Sequence, residues 1–406
     1  MTEAVLHIGC PKTGTSTIQQ FLELNSELLE AQRVSVPTGW GVNHNLLTVL
    51  SYPESRWDEP CARHARRLGL GDDRPSMSRW RDARSRLRSE FNTFVSDNRH
   101  RKLLFSAESL YQRLDPPEIA NLRRYLEEQG VAARIIVYLR DPLSARVAHV
   151  AQKIKVGWHF DLDEALRPSM TPELSPLPTW PGAPESHAIP TETYKTRLTW
   201  WEAEFPGRVA VRLFDRGRLR HRTLTQDFCE AVGVNSTSLR GLDLKSNVSL
   251  PWPVTKILNE LNTRFDRRPL LPNGDFNRGR HLPPHELTSW DWTSQSFIPS
   301  NALISDFADY FSSSNAFVRS RYFPSEPALW TKNLAASHSL DDEVTSNALT
   351  LDELSLVNTL QRVIETHKPQ ESQNHERRFA LRYFRSRRHT RRNLSTELLT
   401  LLSSAG

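Results

Sequence analysis

The chain has 406 residues and a 38% hydrophobic share, enough for one large domain or two ordinary ones, with no apolar run near the roughly eighteen residues of a membrane span and no secretory leader pattern. Three cysteines, Cys10, Cys61 and Cys229, are odd in number and far apart, and they lack CxxC or zinc-spaced histidine partners, which argues against a disulfide framework and a structural metal. The net charge of +6 is local, because residues 377–392 hold eight arginines and no acid, so the rest is near −2; the expectation is a cytosolic globular protein with appendages.

From the N-terminus, apolar runs of strand length alternate with helical periodicities, the pattern of a parallel α/β sheet. Strands are predicted at Val5–Ile8, Lys102–Ser106, Arg134–Leu139 and Val209–Leu213. Helices are predicted at Thr15–Gln32, Ser78–Asp97, Pro116–Gln129, Pro142–Val156, Thr191–Glu204 and Leu219–Val232. Pro168–Pro190 carries seven prolines in 23 residues, which rules out helix or central strand there. After Gly233 helical patterns dominate, at Pro253–Phe265 and Asn301–Phe311. Beyond about Ala335 the chain turns polar until the arginine cluster, so the compact fold is expected to end near Trp330. Residues 1–330 then form the main domain, 236–330 its helical closing part, and 331–406 a polar, arginine-rich extension.

The chemistry starts in AVLHIGCPKTGTST, residues 4–17. A strand that ends in a glycine-containing loop before a helix N-terminus aims free amides and a positive dipole end at one spot, which suits phosphate or sulfate. Lys12 adds a formal charge there, and Thr13, Thr15, Ser16 and Thr17 add hydroxyls. The Walker A order is not met, since Lys12 precedes Gly14 rather than following a second glycine.

HIGCPKTGTSTIQQFL resembles the 5′-phosphosulfate loop of sulfotransferases that use 3′-phosphoadenosine 5′-phosphosulfate (PAPS), which carries Pro-Lys-[Ser/Thr]-Gly-Thr-[Thr/Ser]. The resemblance implies a P-loop-like three-layer fold with PAPS as co-substrate and no metal. It implies that Lys12 touches the oxygen bridging phosphate and sulfate, and that Thr13, Gly14, Thr15, Ser16 and Thr17 bind the 5′-phosphate. RIIVYLRDPLSARVAHVAQK, residues 134–153, resembles the family's 3′-phosphate segment, with Arg140, Asp141 and Pro142 in place. The family's serine falls on Ala148, so the hydroxyl contact passes to Ser144, or the role to Arg146. NRGRHLPP, residues 277–284, resembles a closing loop of carbohydrate sulfotransferases, which would make Arg278, Gly279 and Arg280 contacts to the 3′-phosphate. The segment that begins at Asn301 and NVSLP at 247–251 resemble further parts of the closing region.

Sulfuryl transfer needs a base for the acceptor's proton, in-line positioning, and positive charge at the leaving oxygen. Lys12 fits the last role. Two residues compete for the first. His44 lies where related bacterial members carry an Asn-His pair before a short helix, and its unperturbed pKa of about 6.5 suits proton removal near neutrality. Glu108 follows a predicted strand's C-terminal end, the edge where open α/β sheets hold ligands.

The acceptor class is expected to be a carbohydrate hydroxyl. Trp40, Trp158, Trp180 and the pair Trp200–Trp201 are candidates for sugar stacking, and the basic helix around Arg79–Arg88 for an acidic glycan. The Arg377–Arg392 tail points to a polyanion or an anionic membrane surface. Two other readings stay open: a P-loop kinase or NTPase, and a catalytically silent nucleotide or polyanion binder.

Overall fold

In chain order the elements are β1 (Thr2–Ile8), α1 (Thr15–Leu24), α2 (Ser26–Ala31), β2 (Val34–Ser35), α3 (Leu46–Ser51), α4 (Glu59–Arg67), α5 (Met77–Asp97), β3 (Lys102–Ala107), α6 (Glu108–Arg113), α7 (Pro116–Glu128), β4 (Val131–Leu139), α8 (Pro142–Lys155), α9 (Leu162–Ala165), α10 (Tyr194–Glu204), β5 (Val209–Leu213), α11 (Leu224–Val232), α12 (Trp252–Phe265), α13 (Asn301–Tyr322) and α14 (Leu351–Thr366). The computed structural model describes residues 1–41, 43–71, 74–155, 157–168, 194–215, 217–219, 223–244, 250–265, 297–330 and 347–366. Most of the Pro168–Pro190 segment, Arg278–Arg280 and the Arg377–Arg392 tail lie outside the described residues.

The strands form one five-stranded sheet in the order β2-β3-β1-β4-β5, parallel at every pairing. A parallel sheet covered on both faces demands strands that are apolar on both sides, and β1 is buried at every position but Glu3. Leu6, Ile8, Phe105, Ile135 and Val137 face a cluster with Phe91 of α5, Leu122 of α7 and Trp201 of α10. Val5, Leu104, Ile136 and Tyr138 face Ile18 and Phe21 of α1 and Phe228 of α11. The result is the expected three-layer α/β arrangement.

The predicted continuous helix Thr15–Gln32 is two helices. Asn25 is fully buried, and its amide nitrogen donates to the Phe21 carbonyl at 2.8 Å and the Arg240 carbonyl at 3.0 Å. Its side-chain oxygen accepts from the Arg240 amide at 2.7 Å. Those tertiary bonds override helical continuity. β2, with two residues, carries no readable alternation. Helix α13 runs on past Phe311 to Tyr322, held where Ser314 accepts from the Lys195 amide of α10 at 3.2 Å. Helix α7 has a full start signal, with Asp115 and Glu118 in a capping box and proline in the first turn.

The chain divides into two compact units. The first holds the sheet and its covering helices. The second comprises 150–165, 249–300 and 340–406. Within it α14 lies against α12, where Lys256 is buried and donates to Glu353 at 2.8 Å and to the Ala348 carbonyl at 2.9 Å. Among the described residues no helix is long and apolar enough to cross a membrane.

Three histidines of the first unit are buried: His7, His44 and His64. Burial lowers their pKa values from 6.5 to about 3, about 4 and about 4. Each is neutral in the folded chain and takes up a proton on unfolding anywhere between its folded value and 6.5. Stability is therefore fully present above about pH 6.5 and falls as the pH drops toward 4, by roughly 1.4 kcal/mol per pH unit for each histidine. Denaturant titrations at stepped pH should show this acid loss, reduced by the protons that Glu108, Glu118 and Asp141, whose pKa values burial raises, give up on unfolding. A slope between pH 6.5 and 4.5 that His64→Gln leaves unchanged would mean that this ring is charged in the fold.

Candidate functional site

The parallel sheet sends the carboxyl ends of β3, β1 and β4 to one edge, side by side. The chain leaves β1 toward α1 on one face, and leaves β3 toward α7 on the other. Such a reversal opens a crevice at the strand ends. Glu108 follows β3, the lysine loop follows β1, and Arg140 follows β4.

The loop from Gly9 to Gly14 contains two left-handed residues, Lys12 (φ 63°) and Gly14 (φ 80°). Gly14 is favoured by its left-handed φ, and an added Cβ, 2.4 Å from Leu224 Cδ2, would also force that side chain to shift. At Gly9 an added Cβ would sit 2.3 Å from Thr15 Oγ1, so the absence of a side chain there is what admits the Thr15 hydroxyl. The amides of Thr17 and Ile18 return to the Gly14 carbonyl at 2.9 and 3.1 Å, which starts α1 and leaves the amides of Thr15 and Ser16 ahead of the first intrahelical donors.

The hydroxyls divide between bracing the loop and facing it. Thr13 is fully buried and donates to the Cys10 carbonyl at 2.6 Å, so it ties the loop to itself. Thr15 Oγ1 is buried with no hydrogen-bond partner. A buried hydroxyl left unsatisfied in an amide-rich loop is what an absent oxyanion would explain. Ser16 is half-exposed and Thr17 is buried in the first turn of α1.

Arg140 reaches the loop directly, with Nη1 donating to the Lys12 carbonyl at 3.0 Å. Its guanidinium stands 5.7 Å from the centre of the Phe214 ring, and its own carbonyl accepts from the Tyr194 hydroxyl at 2.5 Å. Burial lowers the Arg140 pKa against the opposing influence of Tyr194 and Asp141. Asp141 accepts from the Ser144 amide at 2.8 Å and so caps α8. Ser144, Arg146 and Ala148 are half-buried along the first turns of that helix. Burial also lowers the Arg146 pKa, with Tyr310 close by.

On the other side of the loop, burial raises the Glu108 pKa, opposed by the charges of Lys12 and Arg113. Its Oε1 accepts from Gln112 at 2.9 Å. Glu108 and Lys12 are thus electrostatic neighbours. His44 differs from its expected role. Its Nδ1 accepts from the Ser106 amide at 2.9 Å, its ring also bonds the Pro37 backbone, and its own amide donates to the Ser106 carbonyl at 3.2 Å. With its acceptor nitrogen spent, and its pKa near 4, the ring has no lone pair for an acceptor's proton and pins the end of β3 instead. Asn45, beside it, accepts from Ser109 of α6.

The aromatic and basic acceptor candidates are mostly structural. Trp201 is in the core, Trp40 packs against Phe91, Phe94 and Phe105, and Arg197 lies over Trp200 at 4.8 Å. Trp158 is buried in the second unit, and Trp180 is outside the described residues. On α5, Arg84 is buried and donates to the Tyr52 carbonyl at 2.6 Å, Arg81 pairs with Glu54, and Arg88 lies over Tyr125. Tyr194, Phe214 and Arg113 were not visible from sequence. Only the position of Tyr194 just after the proline-rich stretch marks it out.

No protein-family model matches the sequence, and no curated protein matches it. Among solved structures, the crystal structure of a sulfotransferase from Alicyclobacillus acidocaldarius is similar over 78% of this chain and 94% of its own, at 13% identity and a TM-score of 0.40. Similarity of that extent assigns no activity.

Thr15→Val should separate the anion role from the structural one. The melting temperature is expected to hold or rise, because an unpartnered buried hydroxyl is removed, while calorimetric affinity for inorganic phosphate falls about tenfold. A lower melting temperature with unchanged phosphate affinity would mean that the hydroxyl serves the fold.

Proposed function

We propose that the chain is a PAPS-dependent sulfotransferase that moves a sulfuryl group to an acceptor hydroxyl, with carbohydrate as the acceptor class. The observation that carries this reading is the convergence of Arg140 on the lysine loop, at 3.0 Å from the Lys12 carbonyl. One small ligand with an anionic group at each end would meet both. The Lys-before-Gly order, the unpartnered Thr15 hydroxyl and the loop amides support a sulfated phosphate at the loop end, and Arg140 a second phosphate beside it.

When bound, PAPS supplies a sulfuryl group already activated by its phosphate leaving group. Lys12 puts positive charge where negative charge collects on the leaving oxygen. Glu108, ionised, takes the proton of the acceptor hydroxyl as that oxygen bonds to sulfur. Burial raises its pKa, which makes it a stronger base than an exposed carboxylate, and the Lys12 and Arg113 charges act in the opposite sense and favour its ionised form. Thr13 braces the loop, and His44 holds the strand end from which Glu108 projects. Arg278, Gly279 and Arg280 are proposed as contacts to the ribose phosphate. The Arg377–Arg392 tail is proposed to contact a polyanion.

One observation favours a second reading. Ala148 stands where the resemblance expects a phosphate-binding serine, which fits a nucleotide binder without turnover. Transfer assays with PAPS and a panel of saccharides decide between them, since the silent protein binds adenosine 3′,5′-bisphosphate but transfers nothing.

Calorimetry should show metal-independent binding of adenosine 3′,5′-bisphosphate that Lys12→Ala weakens strongly; equal affinity in the variant removes the lysine assignment. Glu108→Gln is expected to lower kcat by about 10²–10⁴-fold and to leave bisphosphate affinity nearly intact. In the native enzyme kcat/KM should fall as the pH drops through the Glu108 pKa, with that limb above the usual carboxylate range. Persistence of the same limb in Glu108→Gln would assign the base elsewhere.

A further inference from the structure

Lys12 is a non-glycine residue at φ 63°, a backbone state that costs about 1–2 kcal/mol for a side chain with a Cβ. Such a state persists where its surroundings hold it. The Thr13 bond to the Cys10 carbonyl holds the loop from within. From outside, the Arg140 guanidinium donates to the Lys12 carbonyl at 3.0 Å.

Arg140 is itself fixed from several directions. Tyr194 donates to its carbonyl at 2.5 Å. Phe214, whose amide donates to the Leu139 carbonyl at 2.6 Å, presents its ring to the guanidinium. The same ring borders the loop, since a Cβ on Gly14 would lie 3.2 Å from Phe214 Cε2. Loop, arginine and aromatic ring therefore form one packed joint across the ends of β1, β4 and β5. A guanidinium has five N–H donors, so one can serve the Lys12 carbonyl while others face an anion.

We infer that Arg140 is a clamp on the lysine loop as well as an anion arm: its bond to the Lys12 carbonyl holds the left-handed turn that gathers the loop amides, so the two anion subsites are coupled. The two anion subsites and the nucleotides used to read them rest on the proposed function; the clamp on the loop rests on the Arg140 bond alone. Tyr194 is a positioning residue in the same device, acting through the Arg140 backbone.

The test compares adenosine 3′,5′-bisphosphate with AMP, which lacks the ribose phosphate, on the full chain. Arg140→Ala is expected to weaken both, AMP by about tenfold, and Tyr194→Phe to weaken both by a smaller, similar factor. Loss confined to the bisphosphate would make Arg140 a ribose-phosphate arm alone and overturn the clamp. Hydrogen exchange of the amides in residues 9–17, measured without ligand, provides a second readout. Both variants should speed exchange in the loop while leaving the strands unchanged, and unaltered loop exchange overturns the clamp. If the native chain binds neither nucleotide, the proposed function fails while exchange still decides the clamp. If Arg140→Ala does not fold, Tyr194→Phe decides it.

Discussion

A central parallel strand with partners on both sides constrains everything else in the first unit. Because β3, β1 and β4 run in register in one direction, the residues that follow them arrive at one edge as neighbours. Glu108, Lys12 and Arg140 are more than thirty sequence positions apart in each case, yet the sheet places their backbones on adjacent strand ends. No loop needs to fold back to assemble the site. The cost is borne by the sequence of the strands, which must be apolar on both faces, and by the glycines and left-handed lysine that let the chain turn sharply out of β1.

That constraint also explains which parts were legible in advance. Strands β1, β3, β4 and β5 are short apolar runs because a doubly covered sheet admits little else, and such runs stand out against helical periodicity. The loop after β1 was legible from its order, a lysine set before glycine among hydroxyl residues between a strand and a helix. The break at Asn25 was not, because it depends on a bond to Arg240, 215 residues away. β2 is too short to show a period. The six-residue helices α3 and α6 lack the length on which a periodic signal rests.

The two candidate bases show the limit most clearly. In sequence, a histidine and a glutamate near predicted strand ends both qualify, and the histidine has the more convenient intrinsic pKa. What separates them is whether a lone pair is free, and that depends on a backbone amide at Ser106 to which local pattern gives no clue. Tyr194 and Phe214 escaped for a related reason: each acts through a contact with a strand end, and neither belongs to a motif.

The electrostatics of Glu108 and Lys12 connect binding to chemistry on the proposed reading. Burial pushes the carboxyl upward and Lys12 holds it down, so the ammonium acts on the base whenever its charge is not balanced by something else. An oxyanion against Lys12 offsets that charge, which lets the carboxyl move further up and makes the carboxylate a better proton acceptor. The base then strengthens as the donor arrives. The same offset limits how far the effect can run, because Arg113 also favours the ionised carboxylate and is itself tied to the buried Asp58 at 3.2 Å. An anchored arginine keeps its charge in place whatever binds at the loop. The pair of cations thus divides the work: one responds to the ligand, and the other goes on favouring the ionised carboxylate while it does.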